Sequence, residues 1–147
     1  MPYLTVTHRG SHRFEVNVEG HRLLVDEGVA AGGRDSGPTP TELLAASLAS
    51  CAAAYAESYL TSHGHSTSGL VVTCHYRLSA EQPPRVAALD VTVTAPAGLP
   101  ADRRHALLMA AEQCMVGNTL RMPPMINVVM CVSPLLRDSV AELLARA

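Results

Sequence analysis

Short alternating runs open the chain. Apolar and polar side chains exchange places along Tyr3–Thr7, His12–Val18 and His21–Val25, with Arg9-Gly10-Ser11 and Glu19-Gly20 at the breaks. A period of two, with turn residues between runs, predicts an antiparallel meander of three strands. Gly28 to Pro38 (GVAAGGRDSGP) loses all periodicity. That predicts a loop, the kind of segment that often carries functional side chains. Thr39-Pro40-Thr41-Glu42 then reads as a helix start: Thr39 can cap, Pro40 suits the first helical position, and Glu42 can close a capping box. The helix continues through LLAASLASCAAAYAESYL to about Leu60, before Ser62-His63-Gly64 breaks it. Almost no polar face precedes Glu57, so the pattern predicts a helix buried on most sides, at the centre of the fold.

Gly69–Ala80 and Arg85–Ala95 read as two further strands, split by Gln82-Pro83-Pro84. Pro100 opens a second helix, Asp102 to about Gln113, and Cys114–Leu120 reads as irregular or a single turn. Ile126–Val132 predicts a last strand. Ser133-Pro134 then caps a terminal helix whose Leu135, Leu136, Val140, Leu143 and Leu144 approximate helical spacing. Strands and helices in this order make an α+β domain, with residues 1–147 forming one unit.

Composition narrows the picture. Hydrophobic residues make up 48% of the 147, enough for a core, yet Trp is missing and Phe occurs once, so that core must be aliphatic. Eleven basic residues face thirteen acidic ones, which gives no electrostatic footprint for nucleic acid or an anionic membrane. MPYLTVTHRGSHRFEV has no basic leader followed by an apolar run, and Leu43–Ala56 is too short and too rich in Ala and Ser for a membrane span. The expectation is a soluble, cytoplasmic protein. Its four cysteines should then be reduced thiols, and any disulfide among them transient and catalytic rather than structural.

Cys51 lies about three turns into the central helix, on a stripe with Leu44, Leu48 and Tyr55. Taken alone it is a small apolar residue on a buried helix. Cys74 and Cys131, inside predicted strands among Val and Thr, read as core residues. Cys114 closes a helix and opens a non-periodic segment, so its thiol can be presented at an edge. Sixty-three residues separate Cys51 from Cys114, and only the fold can bring them within disulfide reach. Spacing leaves that question open.

Zinc is the other use of Cys with His, but no CxxC occurs and neither Cys74-His75 nor His63/His65 has a second cluster at finger spacing. His105, nine residues before Cys114, falls on roughly the opposite helix face and is discounted as a base. No phosphate-binding loop, dinucleotide fingerprint or nucleophile-elbow Ser is present.

Two segments carry a resemblance. SGPTPTELLAASLASC is similar to the central-helix signature of the OsmC/Ohr family: a Gly-Pro opening, an acidic residue, small residues, then a Cys. AAEQCMVGNTLRMP resembles that family's second signature, a Cys that closes a helix and leads into a short Asn/Thr-Leu segment. The likeness covers nearly the whole chain to Val132, leaving Pro134–Ala147 as an extension. It implies an OsmC-like fold, with antiparallel sheets around a long central helix, in an intertwined homodimer with each thiol site near the subunit interface. It also implies thiol-dependent reduction of organic hydroperoxides, with Cys51 peroxidatic and Cys114 resolving. A dithiol reductant would regenerate the enzyme, and no metal or organic cofactor is required.

By the same resemblance a thiolate in apolar surroundings takes its counter-charge from an Arg held by a Glu. The candidate is Arg34, in the loop before the central helix, with Arg22 and Arg9 as weaker choices. Ohr-type members carry the acidic residue ten positions before the helix Cys, where this chain has Thr41. Glu42 stands nine before, as in a second branch of the family, and about 180° around the helix from Cys51. Glu42 therefore either holds Arg34 or only caps the helix. The shift keeps two alternatives open: a stress or binding protein that holds a hydrophobic ligand at the dimer interface, and a thiol redox sensor.

Overall fold

The computed structural model describes residues 2–131. Three strands form the first sheet: β1 (Leu4–His8), β2 (Phe14–Val18) and β3 (His21–Val25), antiparallel in that order. Glu19 and Gly20, both at positive φ, make the tight two-residue turn whose twist matches that of its strands. The register pairs Val6 with Val16 and Val16 with Leu23. Leu4, Val6, Phe14, Val16, Val18, Leu23 and Val25 therefore share one face of the sheet, with Thr5, Thr7, Glu15, Asn17 and Arg22 on the other. Val25 is buried, but Leu4, Val6, Phe14, Val18 and Leu23 remain exposed.

The long helix α1 (Pro40–Ser62) starts as the sequence predicts. Glu42 N–H donates to Thr39 Oγ1 at 3.2 Å, and Thr39 N–H donates to Glu42 Oε2 at 2.7 Å. One expectation changes along its length. Instead of being covered on most sides, α1 buries one stripe, Ala45, Leu48, Ala52, Ala56 and Leu60, at helical spacing. Tyr55 is exposed and Cys51 sits half-buried at the stripe's border, because one chain supplies packing partners on one side only. At 23 residues, α1 is also long and apolar enough, by length and composition, to cross a membrane, which the shorter Leu43–Ala56 stretch concealed. Its buried stripe instead packs against the rest of the domain.

β4 (Val71–Leu78) and β5 (Val86–Thr94) form a separate antiparallel hairpin against α1. Val72 and Cys74 of β4, with Leu89, Val91 and Val93 of β5, turn inward onto the α1 stripe. α2 (Ala101–Glu112) packs beside them, adding Leu107 and Ala111 to the core. The small side chains of α1 let these neighbours approach closely, so the core is aliphatic as composition requires.

The next segment departs from expectation. Met115–Arg121 is a regular helix, α3, whose N-cap is Cys114. Sulfur is an uncommon cap and gives no Ser/Thr/Asp/Asn signal in sequence, which is why the run read as irregular. Beyond Pro123-Pro124, residues 126–131 of the expected last strand are unpaired, with Ile126 84% and Val128 91% exposed. No neighbouring edge within the chain reaches them among the described residues. Cys131 is accordingly exposed rather than part of a core strand. Val132 and the expected terminal helix lie outside the described residues.

Candidate functional site

Two thiols meet at the start of α3. Cys51 Sγ, from the third turn of α1, accepts the backbone N–H of Val116 at 3.5 Å. Cys114 Sγ accepts the N–H of the next residue, Gly117, at 3.3 Å. Consecutive residues are only about 3.8 Å apart, so side chains distant in sequence converge on one turn of backbone. Both are free thiols, Cys114 fully buried and Cys51 half-buried.

Gly117 makes this approach possible. A Cβ there would lie 3.0 Å from Cys114 Sγ and 3.4 Å from Arg121 Nη1, so thiol and guanidinium flank the space a side chain would fill. Arg121 is anchored: its Nη1 donates to the Glu112 carbonyl at the end of α2 at 3.0 Å and to Asn118 Oδ1 at 3.4 Å. Beside them opens a cavity of about 340 Å³, lined by Leu48, Leu89, Val91 and Leu108 with Cys114 and Arg121. Cys114 faces that cavity; Cys51 is not part of its lining.

The other sequence candidates occupy the α1 N-terminal end. Arg34 is exposed in the loop, and its backbone N–H donates to Asp26 Oδ2 at 3.1 Å. Among the described residues its side chain makes no hydrogen bond or ion pair with Glu42, whose carboxylate closes the capping box. Cys51 lies about 16 Å further along the helix axis than Pro40. The chain by itself thus brings Cys51 and Cys114 together but joins neither to Arg34 or Glu42. Of the weaker candidates, Arg9 pairs with Glu15 at 2.8 Å. Cys74 faces the core, where burial and then the Asp90 charge push its thiol up.

Asp26 organises the loop, a residue that sequence reasoning passed over. Fully buried, its carboxylate accepts the N–H groups of Glu27 (2.8 Å), Arg34 and Ser36 (both 3.1 Å) and the Ser36 hydroxyl (2.5 Å). The Ser36 hydroxyl, with those amides, outweighs burial and holds the carboxyl down at about 2. A Cβ on Gly33 would fall 1.8 Å from the Glu27 carbonyl oxygen, so the tight wrap around Asp26 requires glycine there. The available signal was an Asp directly after an apolar strand and before a Gly/Ser-rich loop. For Arg121 and Gly117 the sequence carried no such signal.

With two thiols converging where the central helix meets α3, comparison with known proteins decides the family. The model for OsmC-like protein matches residues 33–129. The chain belongs to the OsmC-like family. Solved OsmC-type structures share its fold. One is described as an osmotic stress induced and detoxification response protein from Psychrobacter arcticus. It superposes with a TM-score of 0.74 at 23% identity, over 81% of this chain and 88% of that one. An organic hydroperoxide resistance protein OsmC from Legionella pneumophila gives 0.60 at 22% identity, over 81% and 89%. An organic hydroperoxide resistance protein from Elizabethkingia anophelis, with thiocyanate bound, gives 0.61 at 21% identity, over 84% and 91%. No curated protein matches the sequence significantly. The OsmC-like fold, antiparallel sheets with a long helix, is the one the sequence implies.

Proposed function

We propose that this OsmC-like protein is a thiol-dependent peroxidase for organic hydroperoxides, with Cys51 peroxidatic and Cys114 resolving. The observation that supports it is the convergence of these two free thiols on the adjacent amides of Val116 and Gly117. The organic hydroperoxide resistance named for its structural relatives agrees with this reading.

The steps balance with the protein's own thiols and a dithiol. The Cys51 thiolate attacks the distal peroxide oxygen, the O–O bond breaks, and the alkoxide takes a proton to leave as alcohol, with Cys51 as sulfenic acid. Cys114 sulfur then attacks Cys51 sulfur. The S–O bond breaks, and hydroxide leaves as water with the proton Cys114 gave up. An external dithiol reopens the bridge by exchange.

In this reading Arg34 supplies the counter-charge to Cys51, and Glu42 either orients it or serves only the helix cap. The working unit is a homodimer, one domain per chain, in the cytoplasm. A second copy would cover the exposed apolar face of β1–β3 and pair the 126–131 segment, which is unpaired among the described residues, because an open apolar sheet face and an unpaired extended run are both costly in water. It would also offer a route for Arg34 to approach a Cys51.

The test is reduction of cumene hydroperoxide and hydrogen peroxide with a dithiol, for the parent, Cys51→Ser and Cys114→Ser. Turnover that prefers the organic peroxide and vanishes in Cys51→Ser is the expected result. No turnover beyond the thiol blank, with folded protein and reduced thiols, overturns it. That outcome would favour the second reading, a stress protein that binds a hydrophobic ligand, for which the aliphatic cavity beside Cys114 speaks.

A further inference from the structure

Arg121 has no part in the reaction as described above, yet it stands beside the second thiol. Its guanidinium and Cys114 Sγ sit within 3.4 Å and 3.0 Å of a single point, the vacant Cβ position of Gly117. Anchored on the Glu112 carbonyl and Asn118, the group is held in place rather than sweeping through solvent. Both line the same cavity, whose other walls are largely aliphatic. Glu112 also borders that cavity, but Arg121 engages its backbone oxygen.

We propose that Arg121 is the positioning residue of the resolving step: its charge favours the anionic Cys114 sulfur that attacks the oxidised Cys51. This rests on the assignment of Cys51 and Cys114 above. In the attack a new S–S bond forms as the bond from Cys51 sulfur to its leaving group breaks, and the leaving group departs with the electron pair. Cys114 gives up its proton before the attack; the Gly117 N–H on one side and the guanidinium across the glycine gap face the sulfur that then carries the charge, and that charge passes to the leaving group as the S–S bond forms. Arg121 is itself exposed, so solvent screening holds the effect to about three- to tenfold rather than a hundredfold. Its two hydrogen bonds alone would make it a strut between α2 and α3, a role that needs donors but no charge.

The experiment separates charge from strut, and separates both from peroxide chemistry. In a Cys131→Ser background, Cys51 is loaded with thionitrobenzoate, and release of the coloured thiolate reports attack by Cys114. Arg121→Gln, which keeps an amide donor without charge, should slow that release about three- to tenfold. Arg121→Lys should restore most of it, with the melting temperatures of both variants compared to exclude misfolding. Release as fast in Arg121→Gln as in the parent overturns the proposal, and so does a Lys variant no faster than Gln. A parallel single turnover with cumene hydroperoxide tests the underlying reading: Cys51 that resists oxidation there removes the peroxidase assignment while the exchange measurement still judges Arg121.

Discussion

Gly117 N–H donates to Cys114 Sγ at 3.3 Å, and the same glycine leaves the gap across which Arg121 faces that sulfur. A side chain at 117 therefore strikes the site itself. Gly117→Ala should cost about 1–3 kcal/mol by overpacking a buried position. It should also slow closure of the Cys51–Cys114 disulfide. Urea unfolding and diamide-driven thiol loss measure the two effects; an alanine variant as stable and as quick to close as the parent contradicts the geometry.

The Thr39–Glu42 box makes a separable prediction. Thr39→Ala should destabilise the protein by about 1 kcal/mol, whereas Glu42→Gln retains a neutral box partner and should change stability little. If Glu42 also holds Arg34, Glu42→Gln lowers peroxide turnover as Arg34→Ala does. If it only caps α1, Glu42→Gln turns over like the parent while Arg34→Ala does not. Denaturation midpoints beside initial rates tell the two apart.

Asp26 predicts a pH dependence. Its folded-state carboxyl titrates near 2, below the roughly 3.9 of an unfolded Asp, so its contribution to stability is present above about pH 4 and fades as pH falls through 2. Asp26→Asn should therefore be less stable than the parent at neutral pH, with the difference shrinking between pH 4 and pH 2. Thermal melts across that range test it, and a constant difference would remove Asp26 as the cause.

The open face of β1–β3 predicts self-association. Val6→Asp or Leu23→Asp places a charge in the middle of that apolar face, where burial against a second copy is costly. Sedimentation velocity should find the parent as a dimer and these variants shifted to monomer with the strands intact. A parent that sediments as a monomer at micromolar concentration removes the proposed dimer.

Local patterns made most elements legible. Alternation in Phe14–Val18, the Glu19-Gly20 turn and the Thr39/Glu42 box are written in neighbouring residues, because backbone geometry links positions two, three or four apart. The last expected strand does not form among the described residues for a related reason: Ile126–Cys131 has the composition of a strand, but pairing belongs to whatever edge lies alongside. Helix α3 was hidden because its cap is a sulfur, which gives no N-terminal signal.

By itself, the sequence determined the α+β class, the order and bounds of the main strands and helices, the central helix with its cap, and the two cysteine signatures of the family. Those depend on propensity, period and short spacing. Only the tertiary structure decided that Cys51 and Cys114 meet on the amides of Val116 and Gly117, that Asp26 gathers the Arg34 loop, and that Arg121 faces Cys114 across a missing side chain. Each of these joins groups eight to 65 residues apart or turns on an atom that is not there. No local preference encodes such a contact; it exists only once the α1 stripe, the β4–β5 hairpin and α2 have packed and set where α3 begins.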